Sequence, residues 1–158
     1  MMVVSDTSPL NYLILIEEID VLPQMYGRVI VPSSVNVELR APETPDVVRR
    51  WIEDPPGWLE ISTEIGRPDP SLDALHLGER HAISLALRLK AAALLIDERR
   101  GRREAEDRGL KAIGTLGVLV SGHERGLLDL AGSITRLRKT TFHASAKLLS
   151  AVLQKYRE

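Results

Sequence analysis

Five short apolar runs constrain the fold more than any other feature of this chain. They are Met2–Ser5, Arg28–Val31, Trp58–Ile61, Ala93–Ile96 and Leu110–Ile113. Each has the length of a strand and is near-continuously apolar, without the polar alternation of a strand with one wet face. Strands of that kind belong in a parallel sheet, which is covered on both sides. Gly27, Gly57 and Gly109 stand just before three of the runs, where a left-handed glycine commonly ends the preceding helix or turn.

Helical periodicity fills the intervals. It predicts helices over Pro9–Glu17, Ser33–Leu39, Pro45–Glu53, Leu77–Lys90 and Arg100–Arg108. After the fifth run it predicts three more, over Thr115–Arg125, Leu128–Arg138 and Ala144–Arg157, the last with a stripe of Leu148, Leu149, Val152 and Leu153. Strands alternating with helices predict an α/β domain around a parallel sheet. The 158 residues suit one domain, with a core over about 3–125 and added helices over about 126–158. "APETP" (41–45) and "GRPDP" (66–70) are expected as loops inside that domain.

Composition removes several function classes. There are no cysteines, so disulfides and cysteine-based zinc sites are excluded, in keeping with a reducing, cytoplasmic setting. No apolar stretch approaches the ~18 residues that suggest a membrane span, and the polar residues after Val4 do not suit a signal peptide. With a net charge of −1, any nucleic-acid site must be a local patch. Aromatics are 4% of the chain, which argues against base-stacking platforms built from them.

An open α/β sheet keeps its chemistry outside the carboxyl ends of its strands. Asp6 follows the first run and Asp97 the fourth, in "LLIDERR". An Asp between strand and helix is either an N-cap or a site acid; two in one small domain favour a site. Glu79 lies three, four and seven residues before Ala82, Ile83 and Ala86, which puts it on the inward face of its helix. A carboxylate there is paired, capped or bound to a metal; the simpler reading is that it complements the helix dipole. Glu38, between Val35 and Leu39, borders the apolar side of a short helix, and taken alone reads first as a half-exposed surface glutamate. Four carboxylates in a small cleft raise one another's pKa, and no Lys or Arg is placed to neutralise them all. Mg²⁺ or Mn²⁺ suits oxygen-only ligands, and such an ion serves phosphodiester hydrolysis by activating water and stabilising charge.

Five blocks in order, "VSDTSPL", "VPSSVNVEL", "LHLGERHAISLAL", "LLIDERRGRREAEDRGL" and "IGTLGVL", resemble PIN-domain nucleases. They are most similar to the compact toxin ribonucleases of the VapC type. The resemblance runs over about residues 3–125. It implies a three-layer α/β/α sandwich with a central parallel sheet of about five strands, extra C-terminal helices, and a Mg²⁺- or Mn²⁺-dependent ribonuclease. Asp6, Glu38, Glu79 and Asp97 match the family's acidic quartet, although many relatives carry an aspartate where Glu79 stands. The resemblance also implies a cytoplasmic toxin that forms a homodimer and is held by a small antitoxin, with residues 144–157 as one surface for either, or simply as core.

Lesser positions carry over with it. Ser8 matches a polar residue two after the first Asp, or is an ordinary hydroxyl opening a helix. Thr115 lies past the fifth run, or is an N-cap. Arg102 pairs with an acid or touches phosphate. Arg99, Arg100, Arg102 and Arg103 form the best local patch for a nucleic-acid backbone, with a solvated helix face as the plain alternative. His76, His81, His123 and His143 show no ligand spacing and read as surface or half-buried histidines. A phospho-receiver domain is set aside because "SDTSPL" has one acid and "AIGTLG" no lysine. A dehalogenase-type phosphatase is set aside because Ser8 breaks DxD. The competing reading is a PIN-like module that binds RNA or a partner with little or no cleavage; cleavage of DNA is also open.

Overall fold

The computed structural model describes residues 1–64 and 69–156. Five parallel strands form one sheet: β1 (Met2–Ser5), β2 (Arg28–Pro32), β3 (Leu59–Ser62), β4 (Ala93–Leu95) and β5 (Ala112–Ile113). Their order is β3-β2-β1-β4-β5. The helices are α1 (Thr7–Leu15), α2 (Val21–Tyr26), α3 (Ser33–Leu39), α4 (Asp46–Glu53), α5 (Leu77–Leu89), α6 (Arg99–Asp107), α7 (Thr115–Glu124), α8 (Leu130–Leu137) and α9 (Ala146–Lys155). The three-layer sandwich is therefore as expected. None of the described helices is long and apolar enough to cross a membrane.

The apolar runs bury both faces because successive strand side chains alternate. Val3, Val29, Val31 and Leu95 face one core, while Val4, Ile30, Leu94 and Ile96 face the other. The first core is covered by α1 to α4 and α7 to α9, through residues such as Leu13, Leu22, Leu39, Ile52, Leu119, Ile134 and Leu149. The second is covered by α5 and α6, through Ile83, Ala86 and Ala105. The last two helices thus draw on the same core as α1. In α9, Leu149 is buried, Leu148 is exposed, and Val152 and Leu153 pack from the side.

Local signals explain most boundaries. Gly27 and Gly109 have positive φ (74° and 84°) and end α2 and the turn after α6, as glycine does best. Gly57 does not adopt that region. Pro9 falls in the first turn of α1, where its missing N–H has no helical partner to lose. Two elements differ from the sequence reading. Helix α2 was not expected, because Pro23 interrupts its pattern, yet Pro23 too lies in the first turn. A 3₁₀ turn covers Pro70–Leu72. The rest of the expected loop 66–70, apart from Asp69, and the end of the helix expected to reach Arg157, lie outside the described residues.

The strand order fixes the site. The winding order reverses between the parallel strands β1 and β4: β2 and β3 lie to one side of β1, and β4 and β5 to the other. Such a switch point leaves a crevice at the strands' carboxyl ends. β1 pairs with β4 as Val3–Ala93, Val4–Leu94 and Ser5–Leu95, and the Asp6 N–H donates to the Leu95 carbonyl at 2.9 Å. Asp6 and Asp97 therefore leave neighbouring strands into one crevice.

Candidate active site

A cleft of about 880 Å³ opens at this crevice, and Asp6, Glu38, Glu79 and Asp97 all line it. The four expected acids come from the tip of β1, the last turn of α3, the first turn of α5 and the tip of β4. Ser8, Arg102, Arg99 and Glu98 line it as well.

Asp6 stands at the N-cap position of α1, but its side chain makes no cap hydrogen bond. It is buried. Its carboxyl is pushed up from 3.8 to about 7, chiefly by burial; the Thr7 amide beside it opposes the rise, and the charges of Glu79, Glu38 and Asp97 add to it. None of the ion pairs among the described residues includes any of the four acids.

Asp97 does not cap the helix that follows it; Glu98 holds that position in α6. It bonds across the sheet edge instead. The Ser8 hydroxyl donates to Oδ2 at 2.7 Å. The Thr115 hydroxyl donates to Oδ2 at 2.8 Å, and the Thr115 backbone N–H to Oδ1 at 2.6 Å. Ser8 thus contacts an acid of the cleft rather than simply opening a helix. Thr115 is not the N-cap of α7, which is Gly114; it is the first helical residue, and Asp97 satisfies its otherwise orphaned N–H. Arg102 reaches the same place: a Cβ on Gly114 would stand 3.0 Å from Arg102 Nη1 and 3.1 Å from Asp97 Oδ1.

Glu79 faces inward, as its helical position predicts, and also serves its own helix. Its Oε1 accepts from the His76 backbone N–H at 3.1 Å, one half of a capping box. Its Oε2 is buried without a hydrogen-bond partner, facing Gly101 of α6. Burial is the main cause of its raised pKa, opposed by the His76 amide and assisted by Glu98 and Glu38. Glu38 is exposed, closer to the surface reading than to a place on the apolar side, and Val35 and Leu39 fill the buried side of α3. Its Oε2 accepts from the Thr7 hydroxyl at 2.6 Å. Its Oε1 leans over Gly78, where an added Cβ would overlap it and stand 3.3 Å from Asp6 Oδ1. The bare helix start of α5 lets these two carboxylates approach.

Donor chemistry here suits a hard divalent cation. The candidate ligands are all carboxylate oxygens, one buried oxygen is orphaned, and Asp6 has no counter-charge. As the side chains stand, no three His, Asp or Glu residues among those described form a ready-made metal cage. Asp97 is held by hydroxyls and an amide, and Glu79 Oε1 by its cap, so part of the donor set is committed to protein hydrogen bonds while Glu79 Oε2 is not.

Sequence reasoning missed part of the site. Thr7 holds Glu38 through its hydroxyl. Asn11, Tyr12, His76, Leu116, Phe142 and His143 also line the cleft. Tyr12 is one turn beyond Ser8, an i to i+4 spacing that marks a shared helix face; nothing local marks Phe142. Arg99, Arg102 and Arg103 border a smaller adjoining groove of about 380 Å³. None of Arg99, Arg100, Arg102 and Arg103 forms an ion pair among the described residues.

A protein-family model described as a PIN domain matches residues 2–158. No curated protein and no solved structure matches the chain.

Proposed function

The chain belongs to the PIN-domain family, and from that premise we propose that it is a Mg²⁺- or Mn²⁺-dependent endoribonuclease, the toxin half of a toxin–antitoxin pair. PIN domains are generally nucleases. The observation that carries the reading here is the convergence of Asp6, Glu38, Glu79 and Asp97 on one cleft at the sheet's switch point, with Asp6 left uncompensated. In this reading the four carboxylates hold the cation. Bound there, the ion supplies an activated water and offsets charge on the phosphate.

The chain's own groups then have separate tasks. Ser8 and Thr115 fix the rotamer of Asp97, and Thr7 fixes that of Glu38. Arg99 and Arg102 attract the backbone phosphates towards the acids. Asp6 is buried between strand and helix, at the closed end of the acid group.

The alternative, a binding module with little cleavage, is favoured by one observation. Asp97 and Glu79 already spend oxygens on protein donors, and no three ligands stand together among the described residues. Cleavage of RNA with Mg²⁺ or Mn²⁺, and with EDTA, separates the two. Wild type should cleave and be stopped by EDTA, while Asp6→Asn and Asp97→Asn should lose roughly 10²-fold or more, as expected for lost charge stabilisation. Equal activity in all three proteins refutes the nuclease. RNA binding by an inert wild type selects the module. A single domain over 1–158, a homodimer, a small antitoxin partner and a cytoplasmic setting belong to the same proposal. Mass measurement in solution, alone and with the product of any adjoining small reading frame, tests the assembly.

A further inference from the structure

We propose that Tyr12 and Phe142, with His143 at the rim, form a seat for one nucleobase beside the acidic floor of the cleft. The inference rests on the nuclease reading and adds a specificity-determining contact to it.

The cleft has two unlike walls, supplied from opposite faces of the sheet. Helix α6, on the face with α5, brings Arg99 and Arg102. Helices α1 and α7 and the segment after α8, on the other face, bring Tyr12, Leu116, Phe142 and His143. The acids lie at the sheet edge between them. A nucleotide has the same polarity, with an anionic phosphate at one end, an apolar ring face at the other and a sugar between. With the phosphate directed to the arginines and acids, the base is left to the aromatic side.

That side is built to hold a ring. The Tyr12 and Phe142 centroids are 5.1 Å apart at 84°, an edge-to-face pair. Such a pair leaves ring faces free for a third planar group. The Tyr12 hydroxyl and the Thr141 hydroxyl share a hydrogen bond of 2.9 Å, which ties the Tyr12 ring to the residue before Phe142. Both are half-buried and both line the cleft, so little side-chain freedom remains to be lost on binding. Tyr12 lies four residues beyond Ser8, about 6 Å along α1, and Ser8 touches Asp97. That offset resembles the span of a sugar between phosphate and base. Phe142 is the chain's only phenylalanine. It packs against the first core from the side, as Tyr12 does, and is only half-buried there, so it lines the cleft as well.

The experiment uses a short RNA that wild type cleaves, with each nucleoside around the cleaved bond replaced in turn by an abasic residue. One position should lose roughly 5- to 150-fold in kcat/KM, the value of one stacked base. Phe142→Leu keeps apolar volume without a ring and should lose a similar factor on intact RNA. On the RNA abasic at that position it should lose almost nothing more. Phe142→Trp should retain the base effect, and thermal melts report whether each variant folds. Equal abasic penalties in wild type and Phe142→Leu, or no abasic penalty at all, overturn the seat and leave the nuclease reading standing. Failure of wild type to cleave any RNA overturns the nuclease reading and the seat with it.

Discussion

Asp6→Asn should stabilise the metal-free protein, and only above acidic pH. The Asp6 carboxyl is pushed from 3.8 to about 7 in the fold. The native state therefore keeps a proton that the unfolded chain releases near pH 3.8. Through that window the unfolded state binds fewer protons, so stability falls as pH rises and levels off above about pH 7. At ~1.4 kcal/mol per pKa unit the full cost is about 4 kcal/mol, of which about 3 kcal/mol develops between pH 5 and pH 8. Asparagine has nearly the same shape and carries no charge. Urea melts in EDTA at both pH values read the difference. Wild type should lose about 3 kcal/mol more than the variant across that interval, a shift of roughly 1–2 M in the urea midpoint for a small domain. Glu79 also has a raised pKa, but it is present in both proteins and largely cancels. Adding Mg²⁺ or Mn²⁺ at pH 8 should restore wild type and leave the variant unmoved. Parallel pH profiles for the two proteins would refute the claim that Asp6 is buried without a counter-charge.

Gly78→Ala should fold normally and lose cleavage: its methyl would overlap Glu38 Oε1, the movable end of an exposed side chain, so a melt should hold while RNA cleavage drops. Thr115→Val removes a 2.8 Å hydrogen bond to a carboxylate and should cost about 1.5–3 kcal/mol in urea unfolding, with Thr115→Ser recovering most of it. The pair Arg99→Ala with Arg103→Ala should leave the melt unchanged and flatten the dependence of log RNA affinity on log salt by roughly 1.4, about 0.7 for each single-strand phosphate that is no longer neutralised. An unaltered slope would remove these arginines from the binding surface.

The layers and most elements were legible in the sequence because parallel strands must be apolar on both faces, a demand that leaves unbroken runs. Boundaries moved by a residue or two, as at β3, where Leu59–Ser62 replaces Trp58–Ile61. Helix α2 escaped notice because a proline near a helix start looks the same as one that breaks a helix. Among the acids, Asp6 and Asp97 were legible from their places at strand tips, and Glu79 from helical phase. Glu38 was legible only as a glutamate at the surface, since a seven-residue helix gives phase too few turns to separate an exposed position from a bordering one. Composition counts aromatics without locating them. The hydrogen bond between Tyr12 and Thr141, 129 residues apart, depends on tertiary packing that no local window contains.

That bond also orders events in time. A ribosome delivers Asp6, Glu38, Glu79 and Asp97 first and the Thr141–Phe142 wall much later. A nascent chain halted between Asp97 and Phe142 therefore holds every acid of the site and only half of its cleft. The outer wall is made after all four acids, so a cell making this protein meets the finished cleft only once residues 141–143 have followed Asp97.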